Sequence, residues 1–289
     1  MDNSKSYLIL MSNNIKFGAS YNVFDGIELL EGSIKSIRES VDFISVVYQN
    51  VSNSGQTSDE DIKALLDELK GLGLVDEIFH YNPKINMGLH WNELEKRKIG
   101  VYLSQNADCK YHISMDCDEL HIKEQLDYAK KCYLNDESID AGYCQMQTYY
   151  KSTEYVLDPP EDYYVSLFFD ISDGERNFGF GERGVVLVDP TRNMKSVNPK
   201  VFTRDEIEMH HMSYVRNNIR KKLENSSAFE IIKLSIDKIV DCYNNWEYPN
   251  KAILCTPNET EYEIKIVDKD ILKNKIWDTN IYDIYSHNK

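Results

Sequence analysis

Basic residues are in short supply in this chain. Its 33 Lys and Arg face 48 Asp and Glu, a formal net charge of −15 over 289 residues. A surface of that sign repels nucleic acid and anionic lipid, which argues against non-specific binding to either. Long hydrophobic runs are missing as well. The opening "MDNSKSYLILMS" holds an apolar stretch too short for a signal sequence or a membrane span, and polar "NNIK" follows it in place of a small-residue cleavage site. The expectation is a cytoplasmic chain without a transmembrane segment, open at most to peripheral membrane association. The six cysteines (Cys109, Cys117, Cys132, Cys144, Cys242 and Cys255) show no C-x-x-C pair and no regular spacing, which points to reduced buried thiols rather than a zinc site or disulfide frame. Internal repeats and low-complexity tracts are absent too.

What is present is alternation. "IKFGASYNV" reads as a strand, "GIELLEGSIKSIRES" has helical periodicity, and "VDFISVVYQ" is a compact apolar run. A second helix, "DEDIKALLDELKGLG", precedes the short strand "VDEIFHY"; a long amphipathic helix, "GLHWNELEKRKIGVYLSQNA", leads to "KYHISMD". Four strands alternating with three helices predict a parallel sheet covered by helices, an α/β class. Beyond Tyr128, "AGYCQMQTYYKSTEYVL", "DYYVSLFFDI" and "RGVVLVD" read as antiparallel additions, and helices return in "MSYVRNNIRKKLENS" and "SAFEIIKLSIDKIVDCYNNW". The expected organisation is a core over residues 1–205, with one half to about 122 and a second over 123–205. A mainly helical segment, 206–289, completes the site.

The fourth strand ends in "MDCDEL", with three acids in four positions. Ligands of open α/β sheets gather at the carboxyl ends of strands, where Asp116 stands. Continued extension would turn Asp116 and Asp118 to one side and Cys117 to the other. Two converging carboxylates disfavour each other's ionisation unless a cation lies between them, and their oxygens suit Mg²⁺ or Mn²⁺. Read alone, D-x-D is more simply a solvated acidic turn capping the next helix.

The context of that motif resembles the nucleotide-binding half of a GT-A-fold glycosyltransferase, family 2-like and of the bacterial surface-polysaccharide or lipooligosaccharide type. Tyr21-Asn22 closes the first strand, Val46-Val47 lies in the second, and Arg97 with Gly100 forms R-x-x-G ahead of Asp116-Cys117-Asp118. The resemblance implies a Rossmann-like mixed sheet flanked by helices, donor contacts at Tyr21, Asn22, Arg97 and Asp116, and a metal at Asp116 and Asp118. It departs from that pattern at "YQNVSNSG", which lacks the acid customary for contacting uracil.

Further along, His210 and His211 offer a third metal ligand; on an extended chain only one of the pair can face the site, and His210 is the preferred choice because Met209 and His211 share the apolar side. Arg216 and Arg220, one turn apart on one helical face, with Lys221 nearby, suit a clamp for a leaving diphosphate, the alternative being a solvated basic face. An inverting transfer, favoured by the resemblance, needs a base, for which Glu182 and Asp162 are the candidates.

The expected activity is metal-dependent transfer of a sugar from a nucleotide-diphosphate donor, UDP-linked, to a hydroxyl of a glycan or lipid-linked glycan. Asp118→Ala is expected to remove metal and nucleotide binding with the fold intact. The alternatives are a sugar-phosphate nucleotidyltransferase, although no G-x-G-x-R loop follows the first strand, and a catalytically silent nucleotide- or glycan-binding protein.

Overall fold

The computed structural model describes residues 15–58, 61–172, 186, 188–189, 191–193, 195–226, 229–254 and 261–267. The first half follows the alternation. β1 (Lys16–Val23) is buried on both faces from Phe17 onward, as suits a central strand. α1 (Ile27–Arg38) lays Leu30, Ile34 and Ile37 onto the sheet, each fully buried and contributing roughly 1.5–3 kcal/mol relative to exposure. After β2 (Phe43–Tyr48), α2 (Ile62–Gly71) opens on Asp61, whose carboxylate accepts from Ala64 N at 3.1 Å. It stops at Gly73, left-handed at φ 73°, where Leu74 N returns to Leu69 O.

β3 (Glu77–His80), α3 (Leu89–Asn106) and β4 (Cys109–Asp116) complete the unit. All four strands are parallel, in the order β4-β1-β2-β3. The close seat of α3 explains its small residues: a β-carbon on Gly100 would collide with the Ser20 side chain, and one on Gly18 would lie 2.8 Å from Ser104 Cβ.

The second half adds antiparallel strands. β8 (Tyr164–Asp170) pairs with β4 and with β6 (Ala141–Tyr150), and β7 (Ser152–Asp158) pairs on the far side of β6. β5 (Glu119–His121) and α4 (Lys123–Asn135) follow directly from the acidic turn, and β9 (Pro199–Val201) runs parallel to β6. "RGVVLVD" lies mostly outside the described residues. The described strands form a mixed α/β, Rossmann-like sheet flanked by helices.

The C-terminal segment departs from expectation at its start. "EMHHMSY" is a strand, β10 (Glu208–Tyr214), held between β5, antiparallel, and β6, parallel. Pairing on both edges keeps Met212–Tyr214, expected at the start of a helix, in the strand instead. The helix begins only at α5 (Ile219–Asn225), capped by the Asn218 side chain. The next expected helix is two, α6 (Phe229–Ile232) and α7 (Ile236–Asn244), parted at Leu234, which is 94 % exposed. β11 (Ala252–Ile253) and β12 (Glu261–Ile266) then return to the sheet, β12 beside β7.

Candidate active site

The acids at the end of β4 do not act as one cluster. Asp116 ends the strand and Asp118 sits in the following turn, so the chain reverses between them. Asp116 and Glu119 share one partner: Arg192 contacts the Asp116 carboxylate and donates to Glu119 at 2.7 and 2.9 Å. Behind them Arg97, fully buried, donates to Ser114 at 2.8 Å, to Glu93 at 2.8 Å, to Thr191 at 3.3 Å and to Asp116 at 3.3 Å. Burial pushes the Asp116 carboxyl up, but Arg192 and Arg97 outweigh it and hold the group down at about 2. Glu119, more deeply enclosed, is raised by burial in spite of Arg192.

Asp118 belongs to a different set. Arg216 Nη2 lies 2.5 Å from its Oδ2, Lys222 Nζ 3.5 Å and His211 Nε2 3.7 Å. Burial again works to raise this carboxyl, and Arg216, Lys222 and His211 together hold it well below the ordinary carboxylate range. The side chain of Asp116 is 32 % exposed against 7 % for Asp118, so Asp116 is the more accessible of the two.

Both acids line a cavity of about 310 Å³ at the carboxyl ends of β1, β2 and β4, where Asn22, Gln49, Lys96 and Asn225 also face inward. Six buried side-chain atoms on the residues of this wall have no hydrogen-bond partner among the described residues: both amide atoms of Asn22, Gln49 Oε1, His211 Nδ1, Arg216 Nη1 and Asn225 Oδ1. Buried polar groups are ordinarily satisfied, so several orphans on one concave surface mark a place built for a hydrogen-bonding ligand. A second cavity, about 460 Å³, adjoins it and shares Asp25, Arg216 and Lys222. The Asp25 carboxyl between them is raised by burial, against the pull of Arg216 and Lys222.

The residues expected from sequence separate accordingly. Asn22, Asp116, Asp118, His211 and Arg216 come together in the cavity wall. Tyr21 does not: strand alternation turns it into the core, fully buried, with its hydroxyl accepting from Ser33. Arg97 lies behind the wall and acts through Asp116.

The histidine preference is reversed. His210 points away, its Nδ1 2.9 Å from Tyr149 OH, and burial alone lowers it to about 4. His211 turns to Asp118 because the face that is apolar at Met209 opens into the cleft two residues later.

The basic clamp is divided too. Arg216 precedes α5 and meets Asp118, while Arg220, on the helix, pairs with Asp237 at 2.7 Å and Glu224 at 3.8 Å. Lys221 lines the adjoining cavity instead. Asp162 accepts from Gln145 at 3.1 Å in an exposed position and does not line the acid cavity; Glu182 lies outside the described residues.

Several participants were not assigned from sequence. Asp25 and Gln49 stand just past strand ends, where the strand-end rule could have found them. Lys96 hides in the run "EKRK", which reads as a solvated face. Arg192 carries no local signal at all.

No family model matches this chain, and no curated protein does. Among solved structures it is similar to one described as a crystal structure of a mycobacterial protein, at 9 % identity, over 90 % of this chain and 86 % of that one, with a TM-score of 0.38. A likeness of that degree says nothing of activity. Among the described residues no helix is long and apolar enough to cross a membrane.

Proposed function

We propose that the cavity at the ends of β1, β2 and β4 binds a nucleotide-diphosphate sugar, UDP-linked, and that the chain transfers its sugar with inversion to a hydroxyl of a glycan acceptor, on a GT-A-type fold. The observation that carries this reading is the group of six polar atoms, unpartnered among the described residues, on side chains that line the same cavity as Asp116 and Asp118. Asn22 offers both a donor and an acceptor, and the free Gln49 carbonyl asks for an N–H such as the uracil imide. Arg216 and Lys222 stand beside Asp118, where their charge can stabilise a leaving diphosphate.

Among the described residues no group of three or more His, Cys, Asp or Glu is assembled for a metal. A divalent ion bound together with a nucleotide needs less, since one or two carboxylates suffice when substrate oxygens complete its shell. Asp118 with His211 beside it, on a wall that also carries the orphan Asn22 oxygen, fits that smaller requirement. Mn²⁺ or Mg²⁺ held there would add positive charge against the leaving diphosphate. The ion would compete with Arg216, which already holds Asp118 Oδ2.

Thermal-shift measurements with nucleotide sugars, with and without Mn²⁺, followed by assay of UDP release, test the reading. A concentration-dependent rise in melting temperature and donor turnover are expected. If no nucleotide sugar shifts the transition, the reading fails. One observation favours a second reading: protein cations already pair with both acids, as would suit a nucleotide- or glycan-binding protein without turnover. Binding without UDP release under a broad acceptor screen would select it.

A further inference from the structure

We propose that Lys96 is the seat of the ligand's phosphate oxygens, a lysine kept in the cavity without a counter-ion so that a bound diphosphate supplies one. The choice of diphosphate rests on the nucleotide-sugar reading; the need for an anion rests on the cavity alone.

Lys96 is 5 % exposed and lines the cavity that holds Asp116 and Asn22. The other two Lys or Arg side chains on that wall, Arg216 and Lys222, both contact Asp118. Lys96 forms no ion pair and no hydrogen bond among the described residues. The acids around it are engaged elsewhere: Glu93 with Arg97, Asp116 with Arg97 and Arg192, and Asp189 Oδ1 with the Thr191 amide and hydroxyl.

Its place on α3 explains the division of labour. Arg97 runs behind β4 to brace Asp116, while Lys96, one residue earlier, emerges into the cavity. Beside it on the wall is Asn22, 9 % exposed, with neither amide atom partnered. Burial depresses the Lys96 ammonium, with Glu93 and Asp116 working against that. A buried, unpaired ammonium is costly, and a native chain keeps one where a ligand completes it. Three N–H donors on a point charge match phosphate oxygens.

The test is pyrophosphate binding to the full chain by calorimetry. Lys96→Met should bind roughly ten- to a hundredfold more weakly, the loss of one charge-assisted contact. Its melting temperature should stay level or rise, because an unpaired charge has been removed. Wild-type affinity in Lys96→Met, or no pyrophosphate binding by the wild type at millimolar concentration, would overturn the proposal.

A second measurement needs no variant. Pyridoxal phosphate with borohydride should label Lys96 in the native chain, and pyrophosphate should block the labelling. Labelling confined to other lysines would count against the assignment. Pyrophosphate binding through Lys96 without any nucleotide-sugar turnover would uphold this inference and remove the transferase reading.

Discussion

The guanidinium of Arg216 lies against Gly26, in the space that a β-carbon on that residue would fill. Gly26 caps α1 in the left-handed region, at φ 68°. One residue therefore turns the chain after β1 and leaves open the route by which Arg216, from the other end of the sequence, reaches Asp118.

Gly26→Ala tests that link. The left-handed conformation alone should cost roughly 1–2 kcal/mol in urea unfolding. Displacement of Arg216 should also weaken UDP binding in calorimetry. A variant that unfolds earlier but binds UDP as well as the wild type would show that Arg216 can do without this path.

Arg216 and a divalent ion would compete for the same oxygen of Asp118. Arg216→Met should therefore tighten Mn²⁺ binding to the nucleotide-free chain, by about tenfold for each 1.4 kcal/mol of competition removed. UDP affinity should fall in the same variant. Electron paramagnetic resonance titration of Mn²⁺ reads the first effect; unchanged Mn²⁺ affinity would remove Asp118 as a ligand that Arg216 guards.

Asp118→Ala was expected from sequence to leave the fold intact, and the ion pairs of Asp118 alter that expectation. Removing one member of a buried pair leaves Arg216 uncompensated, a loss of about 3–5 kcal/mol. Urea unfolding at neutral pH should show it, with a smaller loss for Asp118→Asn, which keeps a hydrogen-bond acceptor.

Three buried histidines set the acid response. Burial lowers His210 to about 4 and, as the leading cause, lowers His112 and His121 to about 3 each, from an ordinary 6.5. The unfolded chain takes up these protons as pH drops below 6.5 while the folded chain refuses them, so stability falls from there down to the folded values. Asp116, depressed from 3.8 to about 2, extends the loss over the window between those two values. His210→Gln should flatten urea-derived stability between pH 6 and 4 by on the order of 1.4 kcal/mol per pH unit. An unchanged slope would mean that His210 is protonated in the folded chain.

The paired histidines should also differ in binding. His211→Ala is expected to reduce Mn²⁺-supported nucleotide binding, whereas His210→Ala should lower stability and leave binding near the wild-type level. Equal effects on binding would mean that strand alternation at β10 does not separate their roles.

The first half of the fold could be read from the sequence because its signals are local. The 3.6-residue spacing of Leu30, Ile34 and Ile37, the apolar run of β2 and the Gly73 stop each depend on a few neighbouring residues, and the alternation fixes a parallel sheet with Asp116 at a strand end. Asn22, Asp116 and Asp118 follow from that rule, and the spacing of Arg97 and Gly100 has its reason in the close seat of α3 on Ser20. Which charge meets which acid was beyond the sequence. Arg192 reaches Asp116 across 76 positions and Arg216 reaches Asp118 across 98. Ion pairing acts through space and leaves no periodic trace along the chain. The same holds for β10: only the edges of β5 and β6, made elsewhere in the sequence, carry the strand on through Met212–Tyr214, where a helix was expected, and face His211 to the cavity and His210 to Tyr149. Lys96 and Arg97 are neighbours in one charged run, and the packing of α3 against the sheet alone decided that Arg97 would be braced and Lys96 left unpaired.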